Sequence, residues 1–327
     1  MVEKYSSMIV VTGAGGFIGS CLVSYLNRKG HNDVIAVDEK IKEHHPNLKD
    51  KKLKTYIDRD IFLNWFSKNP IEVDFVFHIG ARTDTAEQSV ELFDALNVNY
   101  SKSVWKICTE NNIPLIYASS AATYGNGSFG YSDDHAIIPK LQPLNPYGWS
   151  KQKMDVWVLE QSTATDQWAG FKFFNVYGPN EYHKDRMASV IMHAHKQIID
   201  TGKVKLFKSN HPDFEDGEQR RDFIYVMDLL DVLYYFFENK ISNGIYNLGS
   251  GEANTFLNLT RNVFAAMKQE ENIEFIPMPQ DLNSSYQNYT CADMQKLKAT
   301  GYEKTFHQFD DAVQEYVGVY LTSGRIY

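Results

Sequence analysis

Three cysteines in 327 residues, Cys21, Cys108 and Cys291, are too few and too widely spaced to build a disulfide framework. None has a partner at metal-ligand spacing, so no metal is expected. Cys21 and Cys108 fall in apolar-patterned segments, where a thiol serves as a small core residue. That usage suits a reducing compartment, and a cytoplasmic location is expected. Long apolar runs are missing too. No stretch approaches the roughly 20 residues of a membrane span, and "MVEKYSSMIVVTG" is too short and polar for a secretion signal. The residues before Met8 read as a ragged extension. Basic residues are outnumbered, 33 Lys and Arg against 41 Asp and Glu, for a net charge of −8. The lysine-rich piece "NLKDKKLK" is short and interrupted and reads as a solvated loop. Without a basic stripe, nucleic acid is not an expected partner. No repeat or low-complexity tract is visible.

What remains is an ordinary globular composition, 43% hydrophobic and 23% charged, in a chain long enough for a large core. "MIVVTG" is a short apolar run ended by glycine, the pattern of a buried parallel strand. "FIGSCLVSYLNRKG" has helical spacing and stops on Gly30. "DVIAVD", "VDFVFHIGA", "IPLIYASS" and "AGFKFFNVYGP" read as further strands, with helical patterns such as "ELFDALNVNYSKSVWKICTENN" between them. Alternating β and α elements predict a Rossmann-type doubly wound parallel sheet over residues 1–177. From residue 178 the elements shorten: "KVKLF", "RRDFIYVMDLLDVLYYFFEN", "GIYNLGSG" and "NIEFIPMP". Residues 178–327 are expected to form mainly a smaller α/β substrate lobe, with chain free to cross back to the sheet. "SNHPDFEDGEQ" (residues 209–219) is rich in turn formers and reads as a surface loop.

Two patterns carry chemistry. "TGAGGFIG" sets Gly13, Gly16 and Gly19 between a strand and a helix, where glycine lets the backbone approach a pyrophosphate and the helix N-terminus favours its charge. Asp38 ends the second strand about 20 residues on, where a carboxylate can hold adenosine ribose hydroxyls. A bound dinucleotide follows. Asp38 and Glu39 oppose a 2′-phosphate, while Lys40, Lys42 and Arg59 offset them, so NADP and NAD both stay open. In "NPYGWSKQK", Tyr147 and Lys151 stand at i, i+4 on one helix face. An unperturbed phenol is a poor base at neutral pH, and a nearby ammonium favours its ionised form. Ser120, at the strand end in "YASSAATYG", can hydrogen-bond a reacting hydroxyl.

With these residues in view, the sequence resembles the extended short-chain dehydrogenase/reductase superfamily of nucleotide-sugar enzymes. From Met8 onward "FFNVYGPNEYHKDRMASV", "KLF", "RRDFIYV", "GIYNLGSGEA" and "SYQNYTCADM" are similar to the ADP-L-glycero-D-manno-heptose 6-epimerase family. The resemblance implies transient oxidation at C6″ of ADP-heptose and hydride return to the opposite face. It also implies NADP as cofactor and a product destined for lipopolysaccharide. A homo-oligomer, often a pentamer, would be expected. Inversion at one carbon needs acid/base help from two sides, and the resemblance assigns it to Tyr147 and Lys184. On the cofactor it places Phe17 and Ile18 under the pyrophosphate, with Asp38, Glu39 and Arg59 at the adenosine end. Ile79, Gly80, Ala81, Arg82, Thr83 and Asn97 follow along its length. Lys151 would hold the nicotinamide ribose, and Val176 and Lys184 would touch the cofactor. For the substrate it implies Asn175, Arg186, His193, Phe207, Lys208, Ser209, Asn210, Arg221 and Tyr286. Arg221 suits a diphosphate, because guanidinium donors pair bidentately with phosphate oxygens.

The sequence departs from that family in several places. Asp185-Arg186 stands where a small pair is usual, the 209–219 loop is long, and Glu39 is acidic rather than an amide. The basic residue expected in the next loop is replaced at best by His45. These leave the exact sugar and the dinucleotide preference open. Other readings fit less well. A sugar-nucleotide 4,6-dehydratase needs an acid beside the catalytic serine or threonine, which "SSAATYG" lacks. A UDP-sugar C4 epimerase needs only Tyr147 and Lys151 and leaves Lys184 without a role. A catalytically idle dinucleotide-binding regulator would be marked by loss of Ser120, Tyr147 or Lys151, and all three are present.

Overall fold

The computed structural model describes residues 7–279 and 286–327. The expected extension lies, up to residue 6, outside the described residues. So does Ser285, at the start of "SYQNYTCADM". Seven strands run parallel in one sheet: β1 (Ile9–Thr12), β2 (Val34–Asp38), β3 (Thr55–Asp58), β4 (Phe75–His78), β5 (Leu115–Ser120), β6 (Trp168–Phe173) and β10 (Gly244–Leu248). Their order is β10-β6-β5-β4-β1-β2-β3. The chain winds outward both ways from β1, which makes the β1/β4 boundary the switch point where such sheets bind ligands.

The strands are apolar because both faces are covered. Ile9, Val11, Ala36, Phe75, Phe77 and Phe171 enter one core with α1 (Phe17–Arg28) and α7 (Val226–Glu238). Val10, Ile35, Val37, Val76 and Tyr117 enter the other. That second core is closed by Phe62 and Phe66 of α2 (Arg59–Lys68), by Trp105 of α4 (Tyr100–Glu110) and by Met154 of α5 (Pro146–Leu159). Period-2 alternation in each strand thus feeds two cores at once.

Three features differ from the reading of the sequence. β3 was not expected there: it is a four-residue edge strand with only Ile57 buried, so it carries little apolar signal. "AGFKFFNVYGP" splits into β6 and β7 (Asn175–Tyr177), because Phe174 N–H goes to Leu248 O and the chain turns out of the sheet. "RRDFIYVMDLLDVLYYFFEN" is a strand, β9 (Arg220–Tyr225), running straight into α7. Outside the main sheet, β7 pairs parallel with β9, and β9 pairs antiparallel with β11 (Ala253–Thr255). β8 (Val204–Phe207) pairs parallel with β12 (Ile273–Ile276). Two helices, α6 (Val190–Thr201) and α8 (Phe256–Ala266), pack together beside these small sheets. Among the described residues, no helix is long and apolar enough to cross a membrane.

Candidate active site

The loops that leave the C-terminal ends of β1, β2 and β4 line a cleft of about 770 Å³. Its floor is the glycine turn. Gly13 has φ +68°, and a Cβ there would sit 2.6 Å from the Cα of Gly80, so the two loops touch backbone to backbone. A Cβ on Gly19 would come within 2.1 Å of the Gly13 carbonyl oxygen, so only glycine lets α1 start this close to β1. The first turn of α1 opens on the cleft through Gly16, Phe17, Ile18 and Gly19. A close-packed backbone, free N–H groups at a helix start and space for an extended ligand are what a dinucleotide pyrophosphate requires.

At the other end Asp38 is buried, and its carboxylate accepts hydrogen bonds from Gly15 N (3.0 Å), Glu39 N (2.8 Å) and Lys42 Nζ (3.1 Å). Glu39 is half-buried and pairs with Arg59 at 3.0 Å. Each carboxylate at this end therefore has a cation beside it. Between the two ends run Ile79, Gly80, Ala81, Arg82 and Thr83. Asn97 does not reach the cleft wall. It is buried, accepts from Arg82 N (2.8 Å), and donates to Arg82 O and Ser150 Oγ (2.9 Å each). Asn97 thus braces the loop, from a π-helical turn (Asp94–Asn99) of the kind often found at functional sites. His78 bridges Thr12 Oγ1 and Ser101 Oγ at 2.8 Å each, and burial, helped by the Lys151 charge, pushes its pKa down to about 3.

Ser120 ends β5, and Tyr147 lies in the first turn of α5. That turn is fixed by the Asn145 side chain, which accepts from Gly148 N at 2.8 Å, and by Pro146 at the first helical position. The two side chains lie near enough for Ser120 to act on the Tyr147 phenol. Burial raises the Tyr147 pKa, and the Ser120 contact pulls it back. Tyr147 packs on Phe93, whose neighbours Leu92 and Leu96 line the cleft. One turn on, Lys151 donates to Ala118 O at 2.8 Å, and burial lowers its pKa to about 8 against the opposing field of Asp155. Asp155, a further turn along, pairs with Lys172 of β6 at 2.6 Å, and both side chains are wholly buried. Ser119 and Tyr117 also donate to Asp155, and Lys172 donates to Thr123. A lone charge in an apolar strand gave no sign of this network in the sequence.

Lys184 lines the same cleft as the glycine turn, with its ammonium 5.5 Å from the centre of the Phe17 ring. Burial lowers its pKa, and Glu181 opposes the shift. The next residue, Asp185, has φ +44° and ψ −122°. Arg186 reaches across the cleft to Asp84, donating at 2.9 and 2.7 Å, and its backbone oxygen faces His193 Nε2 at 3.4 Å. Further out, Asn175 is exposed and Val176 half-buried on β7, beside the strand that carries Arg221. Arg221 is buried, with its guanidinium 5.2 Å from the Tyr286 ring, and Tyr286 stands edge-on to Phe207 at 6.3 Å. Lys208 and Ser209 continue that edge through Lys208 N–H to Ile276 O and Ser209 N–H to Asp216, and Asn210 follows, exposed. Most of the sequence-derived residues therefore gather in three groups: the cleft with Lys184 and Arg186, with His193 against the Arg186 backbone; the Ser120–Tyr147–Lys151 group; and the Arg221–Tyr286–Phe207 group.

Residues 9–249 match the model of the NAD dependent epimerase/dehydratase family. The chain is similar to the ADP-L-glycero-D-manno-heptose-6-epimerase of Fusobacterium nucleatum, 42% identical over 98% of this chain and 100% of that protein. It is 44% identical to the ADP-L-glycero-D-manno-heptose-6-epimerase of Nitratidesulfovibrio vulgaris (strain DP4), over 97% of this chain and 98% of that protein. Among solved structures, the Helicobacter pylori ADP-L-glycero-D-manno-heptose-6-epimerase superposes with a TM-score of 0.82 at 25% identity, covering 97% of each chain.

Proposed function

Because the chain belongs to the ADP-L-glycero-D-manno-heptose-6-epimerases of the NAD dependent epimerase/dehydratase family, we propose that it inverts C6″ of ADP-D-glycero-β-D-manno-heptose with Tyr147 and Lys184 as acid/bases. It is an isomerase that binds a nicotinamide dinucleotide. A dinucleotide bound in the cleft supplies reversible hydride transfer at the sugar carbon. The protein must manage the proton on the C6″ oxygen, which leaves and returns once in each turnover. After inversion the oxygen occupies the other side of the carbon, so one group cannot serve both steps. Tyr147, beside Ser120, serves one side and Lys184 the other. The observation that carries this reading is that Lys184 sits on the wall of the cofactor cleft, half-buried against Phe17, instead of in solvent.

Burial acts on the pair in opposite chemical senses. It favours the neutral phenol of Tyr147 and the neutral amine of Lys184. In its neutral form Lys184 can take the hydroxyl proton, and Tyr147 as a phenol can return one. Lys151 orients the cofactor ribose, and Arg221 with Tyr286 receives the diphosphate and sugar, so residues 178–327 act mainly on the substrate. For the dinucleotide we favour NADP, with NAD accepted, because Lys42 and Arg59 bring two cations to the adenosine end. We also extend the reading to a cytoplasmic homo-oligomer, a pentamer, which light scattering would test.

The functional test is an epimerase assay on ADP-D-glycero-β-D-manno-heptose with wild type, Tyr147→Phe and Lys184→Ala. Both variants are expected to lose about 100-fold or more in turnover while retaining bound dinucleotide. Normal turnover by Lys184→Ala refutes the two-base reading.

A further inference from the structure

We infer that Glu181 is a positioning residue for Lys184: its buried carboxylate fixes the loop that carries the lysine and supplies the negative charge that balances its ammonium. The inference rests on the acid/base reading of Lys184. Glu181 is 1% exposed. One carboxylate oxygen accepts from Ser189 Oγ (2.6 Å), from the Tyr316 hydroxyl (2.8 Å) and, more distantly, from Gly178 N (3.5 Å). The other accepts from Ser189 N at 2.6 Å. Gly178 and Ser189 flank the segment that contains Lys184, so a single side chain ties both ends of that segment together. Within it, Lys184 N–H returns to the Glu181 carbonyl at 2.9 Å.

The partners fix the ionisation state by their direction. Ser189 caps α6 by accepting from Met192 N at 3.2 Å, so its own proton points to Glu181. The Ser189 backbone can only donate. Glu181 is therefore an acceptor at both oxygens, as an ionised carboxylate is. Burial raises its pKa, and the Ser189 and Tyr316 hydrogen bonds and the Lys184 charge offset that rise only in part. Such a group costs stability unless it is fully paired, which suits a functional role better than a merely structural one.

The other groups facing this pair are few. Tyr316 comes from the C-terminal helix, Cys21 from α1 with its thiol on Pro179 O at 3.3 Å, and Tyr182 from the same loop. Cys21 and Tyr316 are both held protonated by burial. On the lysine side His183, pushed down to about 4 mainly by burial, stays neutral at physiological pH. Among these groups Glu181 is the one buried negative charge available to Lys184.

The test uses the protein as purified with its dinucleotide. The Lys184 ammonium is titrated by nuclear magnetic resonance of lysine-labelled protein, with Lys184→Ala used only to assign the signal. Glu181→Gln removes the charge at nearly constant volume. Its Lys184 midpoint is expected to fall by about one pH unit or more, with the acid limb of the pH–rate profile moving down in step. Glu181→Asp keeps the charge but withdraws it by one methylene. It should shift the midpoint less and recover part of the turnover. Tyr316→Phe, which leaves the charge in place, should leave the midpoint near wild type. A midpoint unchanged in Glu181→Gln overturns the inference; if that variant does not fold, an unchanged midpoint in Glu181→Asp does so. A midpoint that moves while the pH–rate profile stays still refutes the proton role of Lys184 and leaves the coupling to Glu181 standing.

Discussion

Replacing Asp185 by glycine should make the protein more stable. Asp185 has φ +44° and ψ −122°, a combination that residues with a Cβ rarely adopt. The turn is held from both sides, by Lys184 N–H to Glu181 O at 2.9 Å and by Ala188 N–H to Asp185 O at 3.1 Å, so the residue cannot relax alone. Conformations of this kind cost about 1–3 kcal/mol. Glycine removes that cost but adds about 0.5–1 kcal/mol of backbone entropy lost on folding. The net expectation is about 1 kcal/mol in favour of Asp185→Gly. Unfolding entropy is about 2.1 cal/mol/K per residue, so for 327 residues this is only about 1–2 °C in melting temperature. The urea midpoint is the better measure, with a rise of about 0.3 M for a slope near 3 kcal/mol/M. Asp185→Ala is the control: the side chain is exposed, so losing its carboxylate matters little, while the Cβ and its strain remain. If Asp185→Gly is less stable than wild type while Asp185→Ala matches it, strain at this position is refuted.

Other expectations concern the buried charges and the cleft. His78 is neutral when folded, with its pKa pushed from 6.5 down to about 3. Its contribution to stability is therefore intact above pH 6.5 and is lost as pH falls toward 3. At pH 5 this amounts to roughly 2 kcal/mol, and His78→Gln should flatten the loss in urea titrations between pH 7 and 5. Lys172→Met leaves the Asp155 carboxylate buried without its cation and should cost about 3–5 kcal/mol, with Lys172→Arg much milder; chemical unfolding decides. Arg186 is two-thirds exposed in its pair with Asp84, so Arg186→Ala should leave stability nearly unchanged. It should speed NADPH release in stopped-flow by up to about fivefold, the equivalent of 1 kcal/mol. Arg59→Ala should weaken NADPH binding more than NADH binding in a fluorescence titration; equal losses count against the NADP assignment.

The sequence was most legible where one local pattern is enough. The glycine turn, the parallel strands around it and the Tyr147–Lys151 face each lie within a few consecutive residues. Ser120 needed only the end of a strand. What escaped notice depends on partners far apart in the chain. Asp155 and Lys172 look like surface charges until α5 and β6 bring them together inside the sheet. Asn97, expected along the cofactor from the resemblance alone, instead holds the Arg82 backbone 15 residues away. Arg186 reads as a substrate cation and is found paired with Asp84, 102 residues upstream. β3 is too short and too exposed to stand out, and the return of β10 to the main sheet has no local signature. A strand four to six residues long reveals its type but not its neighbour.

The loop beneath Lys184 is also held from the far end of the sequence. Tyr316 reaches Glu181, Tyr182 donates to the carbonyls of Tyr320 and Arg325, and Tyr327 N–H meets the Asn180 side chain at 2.8 Å. This sets an order on synthesis. A nascent chain that has passed residue 250 already has every strand of the main sheet and the whole glycine turn. Its lysine loop still lacks the segment that props it in place. The cofactor turn is thus complete on synthesis before the residues that prop the lysine loop have been added.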